Sequence, residues 1–311
     1  MTTPETVQSA ETSHRAGFIC FVGRPNAGKS TLTNALVGEK VAITSSKPQT
    51  TRRAIRGVVH REASQLIIVD TPGLHRPKTL LGERLNDLVR ETLLDVDVIA
   101  MCIPADQKVG PGDRFIAQEL EELRAGGVRK PLVAVVTKTD LISRARLAEQ
   151  LIEVDQLLNW DEIVPVSAVK DDQTEILIEV LGKFLPISPQ LYPAEISGDQ
   201  DLDTTIAELV REAALEGVRD ELPHSVNVVV EDRETRSGRP ELIDLRVSLF
   251  VERDSQKGII IGREGKRLRS IGTLARQEIE KLLEKKVNLD LRVKVAKEWQ
   301  RDPKALNRFG F

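Results

Sequence analysis

The run Gly23-Arg24-Pro25-Asn26-Ala27-Gly28-Lys29-Ser30 constrains this chain more than any other feature, because it directly follows the apolar segment Phe18-Ile19-Cys20-Phe21-Val22. It has the form GxxxxGKS between a strand and a helix that begins near Gly28. Glycine at both ends lets the backbone curl, so that successive N–H groups point inward at a phosphate chain. The helix N-terminus adds partial positive charge and Lys29 reaches the outer phosphates. Ser30, with Thr31 beside it, presents a hydroxyl to Mg²⁺. The ligand that fits is a nucleoside triphosphate.

Downstream, the pattern alternates. Ser30 to Val37 reads as a helix stopped by Gly38. Glu39 to Arg53 is polar, rich in Ser and Thr, and too long for a simple turn, which marks a functional loop. Residues 55–59 and 66–69 read as adjacent strands. Further strands at 98–103, 132–136 and 163–166 alternate with helices at 113–124, 145–158 and 174–185. Apolar strands between amphipathic helices imply an α/β unit: a mostly parallel, six-stranded sheet covered on both faces. Ligands bind such sheets at the carboxyl ends of the strands. The phosphate loop, Asp70, Asp140 and Ser167 all fall there.

Three strand-end stretches narrow the ligand to a guanine nucleotide. Asp70-Thr71-Pro72-Gly73 offers a carboxylate to Mg²⁺ through water and a glycine N–H to the γ-phosphate. In Thr137-Lys138-Thr139-Asp140, the aspartate can accept guanine N1–H and N2–H₂ while the stem of Lys138 covers the ring. Ser167-Ala168 can offer a backbone N–H to guanine O6. Within Gln49-Thr50-Thr51-Arg52 a threonine is expected on Mg²⁺ once the nucleotide orders the loop, Thr51 in preference to Thr50. Arg52 and Arg53 need no more than solvent.

At 311 residues, with 40% hydrophobic and 30% charged side chains, the chain has room for two folded domains. Cys20 and Cys102 lie in apolar strands without metal-ligand spacing, so they read as buried thiols suited to a reducing cytosol. Residues 1–16 are polar, lack the apolar stretch of a signal peptide and are expected to be a disordered leader. No apolar run reaches the length of a membrane span. Charge is uneven: residues 225–311 carry 20 Lys and Arg against 14 Asp and Glu, although the whole chain has a net charge of −3. A basic second half suggests a polyanionic partner.

That half has its own informative stretch, Ile259-Ile260-Ile261-Gly262-Arg263-Glu264-Gly265-Lys266. Two glycines between a short and a long helix let the backbone approach nucleic-acid phosphates, and Lys257, Arg263, Lys266, Arg267 and Arg269 supply charge. Bases would be read by Ile259, Ile260 and Ile261. The stretch sits within a helix–strand–strand–helix–helix–strand order and resembles the GXXG clamp of KH domains, which holds about four unpaired nucleotides.

Taken together, the motifs resemble the translation-factor-related GTPases and, with the second half, the Era family of KH-domain GTPases of ribosome assembly. The resemblance runs over nearly the whole chain from about residue 17. It implies a GTPase domain at 17–185, a linker at 186–203 and a KH (type II) RNA-binding domain with a C-terminal tail at 204–311. It also implies GTP hydrolysis to GDP with Mg²⁺ and binding to 16S ribosomal RNA near its 3′ end, in assembly of the small (30S) ribosomal subunit. A cytoplasmic monomer is expected. Era-like proteins also contact the inner face of the cell membrane, a property for which only scattered basic charge speaks here. The tail from Trp299 to Phe311 resembles the family's tail, and either extends the RNA surface or caps the domain.

Two departures from related patterns bear on mechanism. The base motif begins with Thr137 where Asn is usual, and a hydroxyl replaces part of what the amide does. Leu74 stands where signalling GTPases place a water-orienting glutamine; His75 and Arg76 are weak substitutes, so intrinsic hydrolysis should be slow. Similar GTPases with Asn at the position of Asn26 hold K⁺ there, which makes K⁺ stimulation an expectation. The catalytic set is then Lys29, Thr51, Gly73 and Asn26, with Ser30, Thr51 and Asp70 on the metal. Two other classes remain. One is a GTPase whose second half docks only proteins, but relatives of that kind carry a second phosphate loop and lack GXXG. The other is a GTPase coupled to RNA modification, but neither cysteine is placed for it.

Overall fold

The computed structural model describes residues 14–44, 50–216 and 225–311. Most of the expected leader, and Gln49 in the polar loop, lie outside them.

The first unit runs β1 (Arg15–Val22), α1 (Lys29–Val37), β2 (Ile55–His60), β3 (Ser64–Asp70), α2 (Leu80–Asp95), β4 (Val98–Pro104), α3 (Pro111–Ala125), β5 (Leu132–Thr137), α4 (Arg144–Asp155), β6 (Glu162–Pro165) and α5 (Thr174–Phe184). Its six strands lie in the order β2-β3-β1-β4-β5-β6. All neighbours are parallel except β2, which pairs antiparallel with β3. Both faces are covered. Ile19, Phe21, Ala100 and Val135 pack toward α1 and α5, while Cys20, Met101 and Ala134 pack toward the opposite layer.

Two differences from the sequence reading are plain. Helix α4 ends at Asp155, three residues early. Helix α2 has no counterpart in that reading; Leu81, Leu85, Val89 and Leu93 bury one face of it, and the Thr79 side chain caps it by accepting from Gly82 N–H. The segment expected as a linker is stitched along the sheet edge. The Ser197 carbonyl accepts from Val58 N–H at 2.8 Å, the Gln65 amide bonds Leu191 and Tyr192, and Asp199 pairs with Arg56 at 3.0 Å. That covering protects the open edge strand β2.

The second unit begins with α6 (Leu202–Leu215). It continues through β7 (Asn227–Thr235), β8 (Leu242–Val251), α7 (Asp254–Ile261), α8 (Lys266–Leu283), β9 (Lys286–Val295) and α9 (Pro303–Arg308). Strand β8 is central, antiparallel to β7 and parallel to β9. Helices α6 and α8 cover one face through Ile206, Val210, Ile271, Ala275 and Ile279.

The tail does more than cap this unit. Trp299, Leu306 and Phe309 pack with Phe250 and with Leu81 and Leu85 of α2. Arg84 donates to the Asn307 side chain at 2.7 Å and to the Phe311 carbonyl at 2.6 Å. The tail therefore joins the two units.

Candidate nucleotide and nucleic-acid sites

The phosphate end of the first site is built at the junction of β1 and α1. Residues Pro25 to Thr31 line a cavity of about 600 Å³ with Thr50, Thr51, Gly73 and Lys138. Lys29 Nζ donates to the carbonyls of Gly23 and Arg24 at 3.1 and 3.3 Å. Burial pulls the Lys29 ammonium below its ordinary range, and the Asp70 carboxylate opposes that shift. Gly73 approaches the loop so closely that a Cβ there would stand 2.7 Å from Pro25 N, which leaves no room for any side chain. Arg24 does not line the cavity; its side chain turns to buried Asp113 of α3, at 3.1 Å.

Three oxygen-bearing groups converge beside Lys29. Ser30 Oγ lies 2.6 Å from Asp70 Oδ2 and 2.9 Å from Thr51 Oγ1, and Thr51 Oγ1 lies 3.2 Å from Asp70 Oδ2. Asp70 is fully buried, and its Oδ1 has no hydrogen-bond partner among the described residues. Burial raises the Asp70 carboxyl above its usual range, although Lys29, Ser30 and Thr51 all work the other way. A buried carboxylate with an orphaned oxygen and two hydroxyls is the donor set of a hard divalent cation, so these residues fit Mg²⁺.

Two neighbours expected on the nucleotide serve the fold instead. The Thr71 hydroxyl donates to the Phe21 carbonyl at 2.8 Å, tying β3 to β1. Leu74 is 1% exposed in the core, and its N–H donates to the Gly23 carbonyl. Pro72 is buried beside them. His75 and Arg76 line a different cavity, about 840 Å³, between this loop and the second unit.

At the base end, Ser167 Oγ donates to Asp140 Oδ1 at 2.6 Å and fixes the carboxylate. Lys138 sits in the left-handed region with Nζ 3.4 Å from Asp106, which holds its stem along the cavity wall. Thr139 opens the short helical turn 139–141 that carries Asp140. The Ser167 N–H is already committed to the Asp172 carbonyl, so Ala168 is the residue left to offer an N–H to a guanine oxygen. Thr137 plays a different part. Its hydroxyl donates to the Ala27 carbonyl at 2.7 Å, fastening the base strand to the phosphate loop.

In the second unit, Gly262 and Gly265 have φ of 71° and 72° and join α7 to α8 through Arg263 and Glu264. Arg263, Lys266 and Arg269 are exposed, Lys257 is half-buried, and Lys266 pairs with Glu264 at 3.1 Å. The isoleucines divide. Ile259 is 52% exposed, Ile261 is half-buried, and Ile260 is wholly buried in the core, where no base can reach it. Arg267 is half-buried, and its guanidinium donates to the Glu216 carbonyl at 3.0 Å. Instead the clamp opens onto a groove of about 380 Å³ between α8 and β9, lined by Leu268, Arg269, Gly272, Arg276, Asn288 and Leu291. Sequence reasoning missed it, although Leu268, Gly272 and Arg276 recur at the four-residue spacing of one helical face.

Arg52 and Arg53 are not left to solvent. Arg52 is 2% exposed and donates from Nη1 to the Val226 carbonyl at 2.7 Å, while Arg53 donates to Thr204 Oγ1 at 3.0 Å. Burial, with Arg211 nearby, pulls the Arg52 guanidinium down to about 9.

Comparison with known proteins finds a family for each of the two units. A family model described as a 50S ribosome-binding GTPase matches residues 18–138, and one described as a KH domain matches residues 221–300. The chain is 60% identical to the GTPase Era of Streptomyces coelicolor, with 99% of each chain covered. It is also 60% identical to that of Mycolicibacterium smegmatis, with 96% of this chain and all of the relative covered. Among solved structures, Era in complex with MgGDPNP and nucleotides 1506–1542 of 16S ribosomal RNA superposes with a TM-score of 0.90 at 36% identity, covering 96% of this chain and 99% of that one. The Y63A variant of Aquifex aeolicus Era bound to GDP·AlF4⁻ gives the same TM-score at 35% identity, covering 95% and 99%.

Proposed function

Since the chain belongs to the Era family of GTPases, we propose that it is a GTP-timed RNA-binding protein whose KH groove takes 16S ribosomal RNA near its 3′ end during 30S assembly. One observation carries this reading: a complete guanine-nucleotide site and an open GXXG groove stand in one chain. A relative of the same architecture was solved with a GTP analogue and that RNA.

Hydrolysis brings water onto the γ-phosphorus and breaks the bond to the β–γ bridging oxygen, a reaction served by positioning and charge. The Pro25–Gly28 backbone and Lys29 would neutralise the phosphate oxygens, and Gly73, on the same cavity wall, would offer its N–H to the γ-phosphate. Ser30, Thr51 and Asp70 would hold Mg²⁺, which would supply charge neutralisation at the phosphates. Leu74 is locked in the core, so no side chain at its position orients water, in keeping with slow intrinsic turnover. Asn26, Thr44, Thr50 and Thr51 line the same cavity. These are neutral oxygen donors suited to K⁺, and we extend the proposal to K⁺ stimulation, a cytoplasmic monomeric protein and the small subunit as its destination.

Crosslinking with sequencing of the bound RNA, in GTP and in GDP, tests the function. Recovery of the small-subunit 3′ region is the expected result; recovery of protein partners alone would replace RNA with the protein-docking alternative.

A further inference from the structure

The loop that reaches the metal set is held from the far side. Thr51 turns its hydroxyl to Ser30 and Asp70. Its neighbour Arg52 is buried in the second unit, with Nη1 on the Val226 carbonyl at 2.7 Å and its guanidinium 5.5 Å from the Trp299 ring centroid. On the other side, Arg211 of α6 donates to the Thr50 carbonyl and is itself held by Glu208 at 3.0 Å. Arg53 donates to the Phe309 carbonyl at 3.1 Å, and the Glu212 carboxylate accepts from Thr44 N–H at 2.9 Å and from Lys40. The residues on either side of Thr51 are therefore pinned by α6, by the entry to β7 and by the tail. Trp299 is fully buried and spends its indole N–H on the Ser225 carbonyl at 3.0 Å, so the platform under Arg52 is fixed.

Simple cohesion between the units does not require this placement. Leu81, Leu85, Phe250 and Phe309 already supply an apolar junction, and burying a guanidinium is costly unless its hydrogen bonds are kept. The charged anchor stands one residue from the hydroxyl in the metal set. We propose that Arg52 is a positioning residue for GTP hydrolysis: seated on Val226 and Trp299, it places Thr51, so that closing the metal-binding set and docking the second unit are one event. This rests on the assignment of Thr51 to Mg²⁺ made above. A planar, fixed cation held over an indole is suited to that work, and lysine, a point charge on a flexible stem, is not.

The test uses the full-length chain and compares Thr51→Ala, Arg52→Gln, Arg52→Lys and Trp299→Leu. Each is titrated with Mg²⁺ while GTP hydrolysis and GDP affinity are followed. Thr51→Ala, Arg52→Gln and Trp299→Leu should each raise the Mg²⁺ concentration for half-maximal hydrolysis on the order of tenfold, within the usual range of coupling between sites. Arg52→Lys should fall between them and the parent, and GDP affinity should stay within about twofold of the parent for all four, because GDP does not need Thr51. The chain has two tryptophans, so a Trp160→Phe background isolates Trp299. Its emission should differ between Mg·GDPNP and Mg·GDP, and the Arg52→Gln variant should lose that difference. If Thr51→Ala shifts the Mg²⁺ dependence while Arg52→Gln and Trp299→Leu do not, Arg52 is an interface anchor only and the inference is overturned. If Thr51→Ala itself leaves the dependence unchanged, the metal assignment fails instead. Should Arg52→Gln not fold, Trp299→Leu, which removes the platform and keeps the cation, decides by the same titration.

Discussion

Replacing Thr137 with valine separates two roles that a base-motif residue can have. The side chain is 3% exposed, and its hydroxyl donates to the Ala27 carbonyl at 2.7 Å within the buried wall between β5 and the phosphate loop. Valine keeps the branched shape and deletes the donor, leaving a buried carbonyl without its partner at a cost of about 1–3 kcal/mol. For a unit of this size, about 2 kcal/mol corresponds to a fall in Tm of roughly 4–8 °C, read by thermal denaturation of the nucleotide-free protein. The same loss should weaken GTP and GDP alike, by roughly 5- to 150-fold if all of it is expressed in loop order. The preference for GTP over ATP should not change, because Asp140 and Ser167 remain as they were. Equal Tm and equal affinities would refute the tether. Lost guanine preference with unchanged stability would show that Thr137 reads the base.

Five further outcomes follow from the geometry. Asp140→Asn should lose GTP affinity and gain xanthosine triphosphate, since its two acceptor oxygens meet the two guanine donors; a variant binding both nucleotides equally would end that assignment. Gly265→Asp should abolish RNA binding in a filter assay and leave GTP affinity unchanged, because a Cβ there meets nothing within 4 Å; Gly262 is the worse test, since its Cβ would lie 2.7 Å from Arg267 Cβ. For the parent, the salt dependence of RNA binding should fall with a slope of about −0.7 per phosphate neutralised. Burial pushes both cysteine thiols up to about 12, so Cys20 and Cys102 should ignore a thiol reagent at pH 8 until the protein is unfolded, when two thiols should titrate. Hydrolysis should run faster in K⁺ than in Na⁺, and Asn26→Ala should erase the difference.

The strand-end chemistry was legible because it is local. Each motif follows an apolar run, and a parallel sheet delivers the ends of such runs to one edge, so Ser30, Asp70 and Asp140 could be placed from order alone. Local reading faltered where a residue's work depends on a partner far along the chain. The pattern of Ile259, Ile260 and Ile261 shows that one of three neighbours faces a core, but only the position of β8 decides that it is Ile260. Helix α2 has a regular four-residue repeat, yet Gly82 in its first turn weakens the signal, and a Cβ added at that glycine would stand only 3.3 Å from Pro77 Cβ. Arg52 was the deepest miss. Its sequence neighbours are polar, and the Val226 carbonyl it meets is 174 residues away.

That miss bears on how a timer works. Binding free energies are reciprocal: if docking of the second unit holds Thr51 in the metal set, then whatever alters docking must change the affinity for Mg·GTP by the same factor as Mg·GTP alters docking. The GXXG groove and the Arg52 seat lie in one unit. Helix α6, which supplies Arg211 to the Thr50 carbonyl, also packs against α8, which walls the groove. RNA in that groove therefore has a packed route to the switch loop through α8 and α6, and the two ligands need not touch. The physical warrant for that route is a measurement with both ligands: Mg·GDPNP affinity with and without the groove filled, in the parent and in Arg52→Gln. A coupling factor that survives in Arg52→Gln would mean that Arg52 does not carry it, and would leave it to Arg211 on the Thr50 carbonyl, Glu212 on the Thr44 N–H and the Trp299–α2 junction.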